Sequence, residues 1–351
     1  MRRARFALQS ILILLAAAAL MAPLPASLVE RYYADWAYPA TQSVLTSWSN
    51  QSAFSLFDVL LGSATLVGVA AWIRWVRRAW RARSAWPVAH ALVTTLTLAA
   101  VCYLWFQLAW GFNYARVPLE ASIGFDRARV TPAGLRSLAD RAAGEVNRAY
   151  AAGHQHGFPE IGDTPSELVT ALHAVERRLG RPRPTVPSRP KKTLLAGFFR
   201  ASGVDGLHAP FLLETLLNPD LTPPERPAIL AHEWAHLAGY APENDASFVG
   251  LLAALRADPG SRYSAWFALF HDVAAQLPRD EQRALINRLD QGPRQDRQAM
   301  YTRLQSRIES VSRVSWQTYD QYLKAQGVDE GVENYSRVVQ LLLGSGALDW
   351  Q

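Results

Sequence analysis

Ala231-His232-Glu233-Trp234-Ala235-His236-Leu237-Ala238-Gly239 is the stretch on which the reading of this chain turns. Residues four apart share one face of a helix, so His232 and His236 present two imidazoles one turn apart. That spacing suits a single zinc ion, and it places Glu233 as general base toward a water at the same site. Zinc polarises a carbonyl and lowers the pKa of water, which is what amide hydrolysis requires. Ile229, Leu230, Ala231, Trp234, Ala235 and Leu237 carry no charge, as a buried helix demands. Two histidines and a glutamate buried together without a metal would be costly to satisfy. Pro and Glu near the start and Gly239 at the end predict a helix over 223–237.

A third ligand is needed for a catalytic zinc site. One arrangement puts a third histidine at position 242, but Pro242 stands there and cannot ligate. Pro242 opens a second helix, and its first turn offers Glu243, with Asp245 as rival. Glu243 shares a helical face with the small residues Ala246, Ser247, Gly250 and Ala254, which lets that face pack close to the histidine helix. Asp245 shares a face with Phe248, Val249 and Leu252. Glu243 is the preferred ligand.

Working outward, residues 131–152 read as a helix capped by Thr131 and Pro132, and 166–179 as another. Residues 180–190 read as a loop, and Thr193-Leu-Leu-Ala-Gly-Phe-Phe-Arg200 as a strand. Residues 206–218 are ambiguous between an edge strand with a turn and a short helix, because Pro210 argues against a central strand. From Ser261 the chain reads as helices to its end. His154 and His156 read as part of a solvated loop, and His271–Asp272 as ordinary packing.

The first 111 residues have a different character. The chain has 351 residues, of which only 19% are charged, against about a quarter in soluble proteins. Three apolar stretches, at about 6–28, 54–73 and 88–110, are each long enough to span a bilayer. Trp105, Trp110 and Tyr114 suit an interfacial aromatic belt at the end of the third. Arg74, Arg77, Arg78, Arg81 and Arg83 follow the second span and mark a short cytoplasmic loop, 74–87. This puts residues 112–351 outside the cytoplasm. The aromatic-rich segment 30–53 then lies on the membrane surface or packs on the external domain. The net charge of +6 is concentrated largely beside apolar spans, so it reads as a topology signal and not as a nucleic-acid surface. The single Cys102 excludes a disulfide framework. The spans contain no ionisable residue except Asp58 and His90 near their ends, which argues against a transporter.

The segment HEWAHLAGYAPENDASF resembles a motif of a bacterial family of three-span membrane proteins of unknown function, regarded as gluzincin-like zinc peptidases. Trp110-Gly-Phe-Asn-Tyr114, Gly206-Leu-His-Ala-Pro-Phe211 through Glu214 and Asn218, Tyr319–Lys324 and Tyr335–Val339 are similar to further segments of that family. The resemblance implies His232 and His236 as zinc ligands, Glu233 as base and Glu243 as third ligand. Here the family's second acid is Asp245, and its asparagine is Ser247.

The expectation is an α+β, mostly helical protein: three N-terminal transmembrane helices, residues 1–111, followed by a zincin-like domain, residues 112–351. It would be a zinc-dependent metallopeptidase of the cytoplasmic (inner) membrane. Its partners would be a peptide or protein substrate and the lipid bilayer, with cleavage in water-exposed protein far from the spans. His208, Tyr335 and Arg337 are candidate donors to the oxyanion of a tetrahedral intermediate. The alternative is a non-catalytic membrane sensor or scaffold that keeps a zinc site. A structural site closes with four protein ligands and has no need of Glu233.

Overall fold

A computed structural model of the chain describes residues 2–21, 24–328 and 337–350. Helix α1 (Arg2–Met21) is followed by a helical turn from Ala26, a π-helical segment (Val29–Ala37) and α2 (Tyr38–Ser49). Then come α3 (Leu56–Ala82) and α4 (Trp86–Ala109). Among the described residues, helices α1, α3 and α4 are the three long and apolar enough to cross a membrane. The first ends sooner than its uncharged run suggests, with Pro25 preceding the next helical turn. The second runs longer. Arg74 to Arg81 continue the helix instead of forming a loop, and Arg83 closes it in a left-handed conformation. Arginine is a good helix former, so the charge ends the apolar run without ending the helix.

The remaining elements are α5 (Pro132–His156), α6 (Ser166–Arg178), β1 (Pro190–Lys191), α7 (Ala196–Ser202), β2 (Gly206–Ala209) and β3 (Glu214–Leu217). They continue with α8 (Arg226–Leu237), α9 (Glu243–Arg256), α10 (Pro259–Ala275), α11 (Arg279–Ile286), α12 (Gln291–Leu304), α13 (Glu309–Ala325) and α14 (Val338–Ser345). The fold is mostly helical with one small sheet. Its order is β1-β3-β2, with β1 parallel and β2 antiparallel to β3. Thus β2 is an edge strand, and Pro210 falls in the turn that follows it. Residues 193–200 are not a strand. The chain turns at Thr193 and enters α7, held by the Asp58 carboxylate, which accepts from the Thr193 hydroxyl and the Leu194 N–H, each at 2.7 Å. A short apolar run does not distinguish helix from strand, and here the tertiary contact decides.

Segment 30–53 is helical and packs on the domain: Val29, Ala34 and Tyr38 are buried. One continuous core holds Tyr38, Phe106 and Trp110 together with Leu230, Trp234 and Phe270. The core therefore crosses the boundary drawn at residue 111. His154 and His156 lie on the last turn of α5, not in a loop. They pair with Asp296 at 2.8 Å and Asp258 at 3.3 Å. His271 packs on Phe267 and bonds to its carbonyl.

Candidate metal centre

Helix α8 starts from a capping box. Thr222 and Glu225 satisfy each other's exposed backbone groups, with Pro223 and Pro224 between them. Leu230, Ala231, Trp234, Ala235 and Leu237 are fully buried and fix its rotation. Helix α9 crosses it at close range. A Cβ on Gly250 would lie 2.7 Å from the His232 backbone nitrogen, so only glycine allows this approach. The small-residue face of α9 is thus the one that meets α8, and it carries Glu243 to the histidines.

The donor atoms of His232, His236 and Glu243 all lie within 4.8 Å of one another. Glu243 Oε2 is 3.2 Å from His232 Nε2 and 3.4 Å from His236 Nε2. Each ring has its outer nitrogen engaged: His236 Nδ1 with the Tyr240 carbonyl at 2.9 Å, and His232 Nδ1 with the Ser247 hydroxyl at 3.2 Å. The two Nε2 atoms therefore face inward. Glu243 Oε2 is buried without a hydrogen bond among the described residues. Two inward imidazole nitrogens and an uncommitted carboxylate oxygen fit a divalent cation such as zinc, with outer-nitrogen partners of the kind that orient ligating histidines. Burial raises the Glu243 carboxyl, but the His236 and His232 rings hold it well below the usual carboxylate range. Burial opposes charge on His236, yet the Glu243 carboxylate outweighs it and carries the ring to about 9.

The C-terminal end of α8 is clamped by four donors. Trp110 Nε1 donates to the His236 carbonyl at 3.0 Å and the Tyr38 hydroxyl to Leu237 at 2.7 Å. Arg181 donates to Ala238 at 3.1 Å and Arg116 to Gly239 at 2.8 Å. The last carbonyls of a helix lack internal partners and carry partial negative charge, so two guanidiniums suit this end. Gly239 has φ of 85°, and a Cβ there would lie 2.8 Å from Asn113 Oδ1. Arg116 is itself held by a two-point ion pair to Glu30.

His232, Glu233, His236 and Glu243 line a cleft of about 620 Å³. Its other walls come from the C-terminal turns of α4 (Cys102, Tyr103, Phe106), from α7 and β2, and from α13 (Trp316, Tyr319, Tyr322). The cluster is therefore not remote from the spans, as the sequence suggested. Trp110, at the exit of the third, touches the histidine helix directly. The fold closes a separation of 126 residues that no local pattern records.

Glu233 is buried, and its carboxylate accepts the backbone N–H of His208. Burial raises its pKa to about 6 against the pull of His232 and His236. Gly206 makes room for it, since a Cβ there would lie 2.4 Å from Glu233 Oε1. His208 is also brought to the cleft, its ring centroid 6.5 Å from that of His236. Neither of its ring nitrogens has a hydrogen bond among the described residues. Burial first, then His236, holds the ring well below its ordinary pKa, so it is neutral at pH 7.

Other candidates fall elsewhere. Asp245 is not in the cluster. It lines a separate cavity with Glu120, Arg116 and Arg337, and burial lifts its carboxyl to about 7. Arg337 lines that second cavity and pairs with Glu120 at 2.8 Å. Tyr335 lies outside the described residues. Tyr319 was not picked out as a site residue, yet its hydroxyl bonds to Glu243 Oε1 across 76 residues of sequence. Its signal in the sequence is the similarity of Tyr319–Lys324 to a segment of the family.

Three helices apolar and long enough to span a membrane, joined to a helical domain that gathers two histidines and a glutamate, define the class of protein. The chain belongs to the DUF3810 family, described as proteins of unknown function, whose model matches residues 33–343. No curated protein and no solved structure matches the chain.

Proposed function

We propose that this protein is a zinc-dependent peptidase of the cytoplasmic membrane, with His232, His236 and Glu243 as ligands and Glu233 as general base. The observation that carries the reading is the trio of inward donor atoms beside a buried, separately held glutamate. When bound, zinc supplies a Lewis acid toward a peptide carbonyl. Glu233 takes a proton from the attacking water as the C–O bond forms. It then gives that proton to the amide nitrogen as the C–N bond breaks. A carboxyl raised to about 6 is suited to both transfers near neutral pH. The neutral His208 ring can donate toward the oxyanion. The five arginines from Arg74 to Arg83 support a cytoplasmic end for α3 and a cleft that faces outside.

Zinc content and hydrolysis of a denatured protein reporter test this on the full-length protein in detergent. One zinc per chain is expected, lost in His236→Ala and in Glu243→Ala, with hydrolysis stopped by chelation and restored by zinc. A folded protein that binds no zinc would refute the reading. Zinc binding with no hydrolysis of any peptide would favour a sensor or scaffold. Gly206→Ala displaces the Glu233 carboxylate and is expected to lower kcat/KM about 100-fold. Zinc content should stay at one per chain, and an unchanged rate would show that this glycine does not set the base.

A further inference from the structure

The apolar end of the cleft is built from a helix long and apolar enough to cross a membrane. Cys102, Tyr103 and Phe106 line it and belong to α4, the third of the membrane-length helices. Cys102 lies seven residues before Ala109, which is about 10 Å along a helix. The hydrocarbon core of a bilayer is about 30 Å thick. If α4 ends at the interface, the cleft floor reaches well into the outer leaflet.

The opposite wall agrees. Leu195, Phe198 and Phe199 of the α7 region and Trp316 of α13 also line the cleft. On the surface beside them, exposed Leu194 (88%), Val314 (61%) and Ile308 (53%) stand among the exposed charges of Glu309 and Arg313. Apolar side chains interleaved with charged ones suit the boundary between lipid and water. The height of this surface is set by Asp58, which lies in the first turn of α3 and binds Thr193 and Leu194. Leu194 therefore sits at the outer end of the second membrane-length helix.

A polypeptide fits this cleft better than a lipid alone. Gly206, Leu207 and His208 of the edge strand β2 line it. The His208 N–H is taken by Glu233, and the rest of their outer edge can hydrogen-bond an extended main chain, as exposed strand edges do. The aromatic walls beyond can then take its bulky apolar side chains.

We infer that the cleft, where the outer turns of α4 meet the His232–Glu243 cluster, admits its substrate from the bilayer. That substrate is a membrane-anchored polypeptide with bulky apolar residues beside the scissile bond, just outside its own membrane segment. The inference rests on the peptidase reading for the cleavage but not for the docking.

Full-length, zinc-loaded protein in phosphatidylcholine–phosphatidylglycerol vesicles provides the test. Two synthetic peptides carry the same apolar span of about 20 residues and the same Phe-Leu target. One has the target next to the span, and the other has it beyond a flexible spacer of about 40 residues. The near target is expected to be cut about tenfold faster or more, because only it is held at the depth of the cleft. Equal rates, or faster cutting of the far target, would overturn the inference and leave the peptidase reading standing. A benzophenone beside the near target, irradiated with Glu233→Gln protein, reads docking without catalysis. Attachment to the protein is expected. Attachment with no cutting of either peptide by wild type would keep the docking and remove the peptidase reading. Absence of attachment, or attachment by a benzophenone-tipped phospholipid alone, would overturn the docking.

Discussion

Glu233→Gln is expected to hydrolyse peptide about a thousandfold more slowly than wild type while keeping its full zinc content. The substitution changes one atom type and almost no volume. Glutamine can still accept the His208 backbone N–H that holds the native side chain, and Gly206 still leaves it room. It cannot take up a proton from water, so only the transfer steps are lost. His232, His236 and Glu243 are untouched, and zinc measured on the purified full-length variant should remain near one per chain. A loss of zinc together with activity would mean that Glu233 holds the site together and is not its base. Retention of activity would remove Glu233 from the mechanism altogether.

The largest effect on stability is expected at Glu214, which the sequence presents within the ambiguous stretch 206–218 and in a segment similar to the family's. Its carboxylate is fully buried and paired with Lys191, also fully buried. It accepts the backbone N–H groups of Leu56 at 3.2 Å and Phe57 at 2.7 Å, at the start of α3. Lys191 donates in addition to the Ser49 carbonyl at 2.7 Å. One strand residue thus caps a membrane-length helix and neutralises a buried ammonium. Glu214→Ala leaves that ammonium unpaired and is expected to cost about 3–5 kcal/mol. Thermal unfolding of the detergent-solubilised protein should show a fall in Tm on the order of 10 °C. Replacing both partners, as Glu214→Leu with Lys191→Met, should recover much of the loss, since no charge is then stranded. A single variant as stable as wild type would show that the pair is not buried.

The three membrane-length helices were legible because composition alone reveals a long uncharged run. Their ends were less so. Arginine stops the apolar pattern at residue 74 but favours the helix, which continues to Ala82. The local part of the site was also legible: His232 and His236 need only helical spacing, and the small face of α9 pointed to Glu243 over Asp245. Residues 193–200 misled because a short apolar run has no period, and the decisive contact comes from Asp58, 135 residues earlier. Segment 30–53 read as lying on the membrane surface or packing on the domain, and the burial of Tyr38 beneath α8 decides for packing. Tyr319 and Trp110 could not be read as site residues, because their partners are joined to them only through the tertiary fold. The Ser247 that departs from the family's asparagine still lies against His232 with a hydroxyl.

The four-donor clamp on the end of α8 bears on how such a protein could be processed. Two donors, Tyr38 and Trp110, come from the part of the chain that holds the membrane-length helices, and a third, Arg116, depends on Glu30 from the same part. A protease that clipped the chain just after Trp110 would shed a head with the Leu237 carbonyl bare, the His236 carbonyl left to the Gly239 N–H, and Arg116 without its carboxylate. The N-terminal part is therefore an internal brace for the histidine helix, not a leash, and a head released without it is expected to hold the His232–His236–Glu243 cluster less firmly.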